Sequence, residues 1–198
     1  MTTLALQVAE NADDGQVDEF VESFSSSANP VVGRNLDSKI SAWFRFAGFS
    51  LPHGSLVNSA VVELHAYGAT IGSPLTRIVA QRGAAAPSAP TSYADYWARD
   101  RTTAAVAWNG GALSTSVWTA LPDLADVVRE LVVDRTVTAI LLFVENQQQA
   151  STQDIHFPRG VDAYGADKGG KLTIDYSAPT FVFDNRHRIT RGPNVRAR

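Results

Sequence analysis

The chain contains no cysteine, which excludes a disulfide framework, a thiolate metal site and a cysteine nucleophile. Its stability must come from packing. It has no run of eighteen or more apolar residues, so no segment reads as a membrane-spanning helix. The opening stretch MTTLALQVAENADDG has neither the basic start nor the apolar run of a secretion signal. The expectation is a soluble chain without a leader or membrane contact. Catalytic signatures are missing too. The histidines His53, His65, His156 and His187 fall in four separate segments, none with the His-x-x-x-His spacing that places two ligands on one helix face. There is no Gly-x-Ser-x-Gly elbow to present a nucleophilic serine. No internal repeat is visible, and a formal charge of -3 argues against binding nucleic acid over the whole surface.

What is present is two-residue periodicity. A chain of 198 residues with 44% hydrophobic content buries an ordinary core most simply in one domain. The stretch Ile40–Tyr67, ISAWFRFAGFSLPHGSLVNSAVVELHAY, organises it. Ile40, Ala42, Phe44 and Phe46 alternate with Trp43 and Arg45, and Val62, Leu64 and Ala66 alternate with Glu63, His65 and Tyr67. Two strands with one dry face each are expected, paired as a central hairpin through the turn Leu51-Pro52-His53-Gly54. Trp43 beside Arg45 implies that the second face of the first strand is covered as well.

Shorter strands are read at Leu4–Val8, Val17–Phe24, Val31–Gly33, Leu75–Gln81, Thr102–Trp108, Ile155–Arg159 and Lys171–Tyr176, with polar turns between them. Thr138–Val144 (TAILLFV) is apolar on both alternating faces, as a strand covered on each side must be. Tyr93, Tyr96 and Trp97 have helical spacing. From Pro122 the period changes, and Leu124, Val127, Val128, Leu131 and Val132 form the stripe of one amphipathic helix near 122–133 that would cover the apolar strand. Pro122 and Asp123 suit its start and Arg129 its end. About eight strands and one helix result. The fold expected is mainly β, an antiparallel β-sandwich of jelly-roll type spanning 1–176 with one crossover α-helix, followed by an extended basic arm at 177–198.

The order WFRFAGFSLPHGSLVNSAVVELHAY, then Arg-Thr-Thr-Ala-Ala-Val-Ala-Trp, then the Pro-Asp-Leu helix and a final LTIDY strand resembles the DNRLRE-type jelly-roll domains, over roughly Ala9 to Tyr176. Those domains are similar to carbohydrate-binding modules and occur in bacterial surface and secreted proteins and in phage structural proteins. The resemblance implies a non-enzymatic module and supplies no catalytic residue.

Several side-chain groups are candidates for function. The tail Ser177–Arg198 carries Arg186, Arg188, Arg191, Arg196 and Arg198 against one acid, so it is +4 and the rest of the chain is -7. Phe181 and Phe183 precede the arginines, and the arm is read as docking on a neighbouring subunit while its arginines meet an acidic surface. A loose basic tail is the plain alternative, and nucleic acid is a weaker partner for it. Tyr93, Tyr96 and Trp97, in one long connection with Trp108 and Trp118, are candidates for stacking on a glycan. Packing is the simpler reading, with Tyr96 or Trp97 the better choice if one ring is exposed. Asn11, Asp13 and Asp14 beside Gly15 concentrate hard oxygen donors, a weak calcium candidate against an ordinary Asx turn. Otherwise no metal or cofactor is expected. Glu63 with Glu145, or Asp154 with Asp175, are the acids a glycosidase pair would need; solvated strand-edge carboxylates are the simpler reading. Together these point to a structural protein of a virus particle, a phage head decoration or tail component assembled in the host cytoplasm. Its partners would be copies of itself or other virion structural proteins. The alternative is a carbohydrate-binding or adhesive module at a cell surface or outside the cell.

Overall fold

In the computed structural model, two antiparallel β-layers face each other and two short helices complete the fold. The structure describes residues 1–26, 29–35, 37–72, 74–109, 113–147, 154–158 and 167–179. The strands are β1 (Thr2–Gln7), β2 (Asp14–Asp18), β3 (Ser23–Ser25), β4 (Val32–Asn35), β5 (Ser38–Leu51), β6 (Leu56–Ile71), β7 (Leu75–Ala80), β8 (Val106–Asn109), β9 (Trp118–Ala120), β10 (Val137–Asn146), β11 (Asp154–Pro158) and β12 (Lys171–Ser177). The helices are α1 (Tyr93–Ala98) and α2 (Ala125–Leu131). The expected mainly β sandwich with little helix forms, built from twelve strands among the described residues rather than about eight.

One layer runs β1-β12-β6, with β9 also on β6, and the other runs β4-β5-β10-β7-β8. Ala42 and Phe44 of β5 each pair with β2 and with β10, so the β2–β3 ribbon extends this second layer on the far side of β5. The layers join through β11, which pairs with both β4 and the end of β6.

The expected central hairpin is not a hairpin. β5 pairs with β2, β4 and β10, whereas β6 pairs with β9, β11 and β12. The turn between them is where it was expected: Gly54 takes φ +70, a conformation that favours glycine, and the Ser55 amide donates to the Pro52 carbonyl. Its effect is to carry the chain from one layer to the other. Ala42, Phe44 and Phe46 of β5 and Ala60, Val62, Leu64 and Ala66 of β6 enter one shared core, so the two strands meet face to face.

α2 is shorter than the expected 122–133. Asp123 Oδ1 accepts from the amides of Ala60 and Ala125, at 2.8 and 2.9 Å, and the Leu124 amide donates to the Ala60 carbonyl. The residues before Ala125 are thus held by β6. The predicted stripe Leu124, Val127, Val128, Leu131 and Val132 is buried throughout and packs into the core between the layers. It lies against β6 and β7, in the core that also holds Ile140, Leu142 and Val144 of β10, and leaves the outward face of β10 uncovered.

The outward face of that layer is apolar too. Val17, Trp43, Val79, Leu141 and Phe143 form a second buried cluster with Tyr96 of α1, flanked by Phe24, Ala89 and Tyr93. β2 crosses the Trp43 indole closely: a Cβ on Gly15 would stand 2.8 Å from the ring and would collide with the Ser25 carbonyl oxygen. Gly15→Ala is expected to destabilise the protein by about 2 kcal/mol, the cost of overpacking a site bounded by backbone, as measured by chemical denaturation. An unchanged denaturation midpoint would show that β2 can lift off Trp43 freely.

Candidate functional site

The long connection between β7 and β8 is not structureless, because arginines tie it to the sheet it covers. Ser92 caps α1 by accepting from the Asp95 amide, and Asp95 accepts in return from the Thr91 amide. Arg99 reaches Asp95 with two nitrogens, Gln81 Oε1 at 2.8 Å and the carbonyls of Ser88 and Ala89. That guanidinium holds the Asp95 carboxyl below the usual range. Arg45 of β5 donates to the Pro87 carbonyl and pairs with Asp13 at 2.6 Å.

The innermost tie is Glu145 of β10. Its two oxygens accept from Arg77 Nε and Arg101 Nε, both at 2.8 Å. Arg101 lies 3.6 Å from the Phe143 ring centroid and 4.9 Å from that of Tyr96, and it donates to the carbonyls of Tyr96 and Arg99. A buried anion shared by two guanidiniums, one of them stacked on aromatic rings, is a structural clamp. Glu145 is therefore not a solvated strand-edge acid. Nor does it form an acid pair with Glu63, which lies on β6 opposite Lys171 and Ala120 in the other layer. Asp175 accepts from Thr3 and Ser59, and the side chain of Asp154 lies outside the described residues.

The stacking candidates separate. Tyr96 is fully buried, its ring edge-on to Phe143 at 5.1 Å, and burial pushes its hydroxyl pKa far up; it cannot offer a face to a ligand. Trp97 is 38% exposed and Tyr93 is half-buried, but their planes are inclined by 65° and form no flat platform. Trp108 is buried in the main core, as packing required, and Lys171 Nζ covers the Trp118 ring at 3.8 Å.

In the calcium candidate, Asn11 and Asp13 lie in a single 3-10 turn that leads into β2 at Asp14. The Asp13 carboxylate is taken by Arg45, and no group of three or more metal-binding side chains converges among the described residues. Ser177, expected to begin the arm, instead ends β12 opposite Leu56. Phe181, Phe183, Arg186, Arg188, Arg191, Arg196 and Arg198 lie outside the described residues. No helix among the described residues is long and apolar enough to cross a membrane.

The surface that does stand out was not singled out in the sequence. Between β2 and β3 the chain turns through Glu19-Phe20-Val21-Glu22, and the two apolar side chains at the tip are 65% and 60% exposed. The loop is held in shape: the Phe20 amide donates to Asp18 Oδ1 at 2.9 Å, the Glu19 amide to the Lys39 carbonyl, and Glu22 takes φ 50 without being glycine or asparagine. Beside the tip lies a shallow cavity of about 370 Å³ lined by Glu19, Phe20, Arg34, Asp37 and Lys39. Arg34 is only 8% exposed, and its Nε and Nη1 find no acceptor among the described residues. In strand register it stands between Lys39 of β5 and Asp154 of β11. Burial raises the Glu19 carboxyl pKa, with Lys39 and Arg34 opposing and Glu145 and Asp18 adding to the rise. The available signal was an apolar doublet bracketed by acids, which breaks the alternation of the strand read at Val17–Phe24.

No protein-family model matches the chain, and no curated protein matches it. The reading of this surface therefore rests on its own geometry.

Two outcomes test the site. Glu145→Ala leaves two guanidiniums without their shared anion and is expected to cost about 3 kcal/mol, with faster protease cleavage in the 83–102 connection; unaltered cleavage would refute the clamp. Glu19→Gln tests the burial of that carboxyl. Because the folded pKa is raised, the wild type loses stability as pH rises through the ordinary value near 4.5, and the variant does not. Melting temperatures should coincide in acid and diverge toward neutral pH in favour of Glu19→Gln.

Proposed function

We propose that the chain is a non-catalytic assembly protein that works by docking other proteins. Its setting is a virus particle, where it serves as a head decoration or tail component. The observation that carries this reading is the Phe20–Val21 tip, a pair of large apolar side chains presented by an ordered loop beside a mixed-charge cavity. Apolar anchors ringed by polar groups are the usual anatomy of a protein-docking hot spot. The arginine-bound acids support it from the other side: the buried Glu145 and Asp13 and the half-exposed Asp95 are each engaged by arginines in holding the fold together. The viral setting is supported by the likeness to DNRLRE-type domains alone.

In this reading Phe20 and Val21 enter an apolar depression on another structural protein of the particle. Lys39 meets an acceptor on the partner's rim, with the buried Arg34 guanidinium adding positive charge beneath it, while Glu19 and Asp37 set which partners are tolerated. The expected outcome is that the chain bands with particles purified on a density gradient. Phe20→Ser combined with Val21→Ser should abolish banding without lowering the melting temperature, since both side chains face water. Equal banding of the double variant, or a wild type that never bands, would overturn the proposal. Glycan-array binding lost in Trp97→Ala would instead support the carbohydrate-binding module.

A further inference from the structure

β1 is the longest strand that closes a sheet with no strand hydrogen-bonded to its outer edge among the described residues. It pairs continuously with β12 from Thr2↔Tyr176 to Gln7↔Lys171, without a bulge. β8, β9 and β3, each paired to one strand, have four, three and three residues. Natural edges are blunted by charge, proline, bulges or shortness. The six residues Thr2-Thr3-Leu4-Ala5-Leu6-Gln7 have none of these devices.

The direction of the free groups follows from one bond. The Val8 amide donates to the Gly170 carbonyl at 2.9 Å, so position 8 points toward β12. By alternation Thr2, Leu4 and Leu6 also point toward β12, and the amides and carbonyls of Thr3, Ala5 and Gln7 point away from it. The side chains sort the other way: Leu4 and Leu6 pack on the core between the layers, and Thr3, Ala5 and Gln7 lie on the opposite face of the sheet.

We infer that β1 pairs antiparallel with β1 of a second copy about a two-fold axis at Ala5, joining two four-stranded layers into one continuous sheet. This rests on the assembly reading above and names one of its partners. The register is set by self-complementarity. With Ala5 opposite Ala5 of the second copy, Thr3 meets Gln7, and each Leu4 meets Leu6 on the core face. Every outward amide and carbonyl then finds a partner, making about six backbone hydrogen bonds. The small side chain at the axis lets the strands approach, and no like charges oppose. A two-fold pairing closes after two copies and leaves no further β1 edge exposed. A charged or irregular strand from another protein would lack this match.

The full chain is tested by sedimentation equilibrium, with two variants. Ala5→Lys places two ammonium groups face to face on the axis and should weaken the dimer by about tenfold or more, with an unchanged melting temperature of the monomer. In a chain with no other cysteine, Ala5→Cys should give a disulfide-linked dimer on mild oxidation. The hydrogen-bonded spacing of about 5.5 Å suits that bond. A monomeric wild type, a dimer indifferent to Ala5→Lys, or no cross-linking would each overturn the pairing. Insertion of the chain beyond β12 into this edge would keep the two axial positions apart and likewise give no cross-link. Failure here is separable from failure of the docking proposal. A monomer that still bands with particles defeats only the edge pairing, and a dimer that never bands defeats only the docking.

Discussion

β10 lies between β5 and β7 with apolar side chains on both faces, and that condition dictates the rest of the architecture. Its inward residues enter the core between the layers, to which α2 also contributes. Leu141 and Phe143 point the other way and need a cover that no third sheet among the described residues provides. The cover is the 83–102 connection, which contributes Tyr96 to the buried cluster with Ala89 and Tyr93 packed around it. A segment without a strand ladder must find other partners for its backbone. Arg45, Arg99 and Arg101 supply them by donating to the carbonyls of Pro87, Ser88, Ala89, Tyr96 and Arg99, and anions fixed on the fold hold the guanidiniums in place. Planar, multiply donating side chains suit this task in a way that lysine does not. Removing Glu145 would therefore loosen a whole layer of structure as well as an ion pair.

Much of this was legible because side-chain period is local. The alternation of Leu172, Ile174 and Tyr176, the two-sided TAILLFV run and the helical stripe from Leu124 each appear where the sequence places them. So does the Pro-His-Gly turn, whose glycine has the positive φ that the turn demands. Even the covered second face of β5 could be inferred from Trp43 beside Arg45. A large aromatic on a strand is rarely left in water.

Pairing was not legible, for a physical reason. Period reports which face of a strand is dry but not which strand lies beside it. β5 and β6, adjacent in sequence and both dry on one face, satisfy that pattern equally well side by side or face to face; the sixteen-residue length of β6, which serves β12 and then β11, decides it. The helix starts later than its stripe predicts because Asp123 and Leu124 are bound to Ala60 of β6, which holds them out of the first turn. Tyr96 and Trp97 are neighbours in sequence with opposite fates, one buried and one exposed, because a six-residue helix turns one of them inward. The β2–β3 tip was missed because Glu19-Phe20-Val21-Glu22 contains none of the residues that announce a turn.

The candidate surfaces lie where protection is missing. At the tip the unprotected element is apolar side chain; at β1 it is backbone. These make different kinds of contact, since side chains discriminate by shape and rim charge whereas a strand edge offers affinity through its ladder and accepts any strand that fits. They also sit in different layers, the tip on the β2–β3 ribbon beside β5 and the edge on β12. A contact at one therefore does not occupy the other, and the two proposed partners are compatible in a single copy. A pair of chains joined at β1 would present two tips related by the same axis. Two weak anchors on a rigid pair bind a repetitive surface far more tightly than either alone, provided that their spacing matches the repeat. The dimer would thus make modest tips sufficient, and the rigidity imposed by the arginine-tied cover would keep their separation fixed.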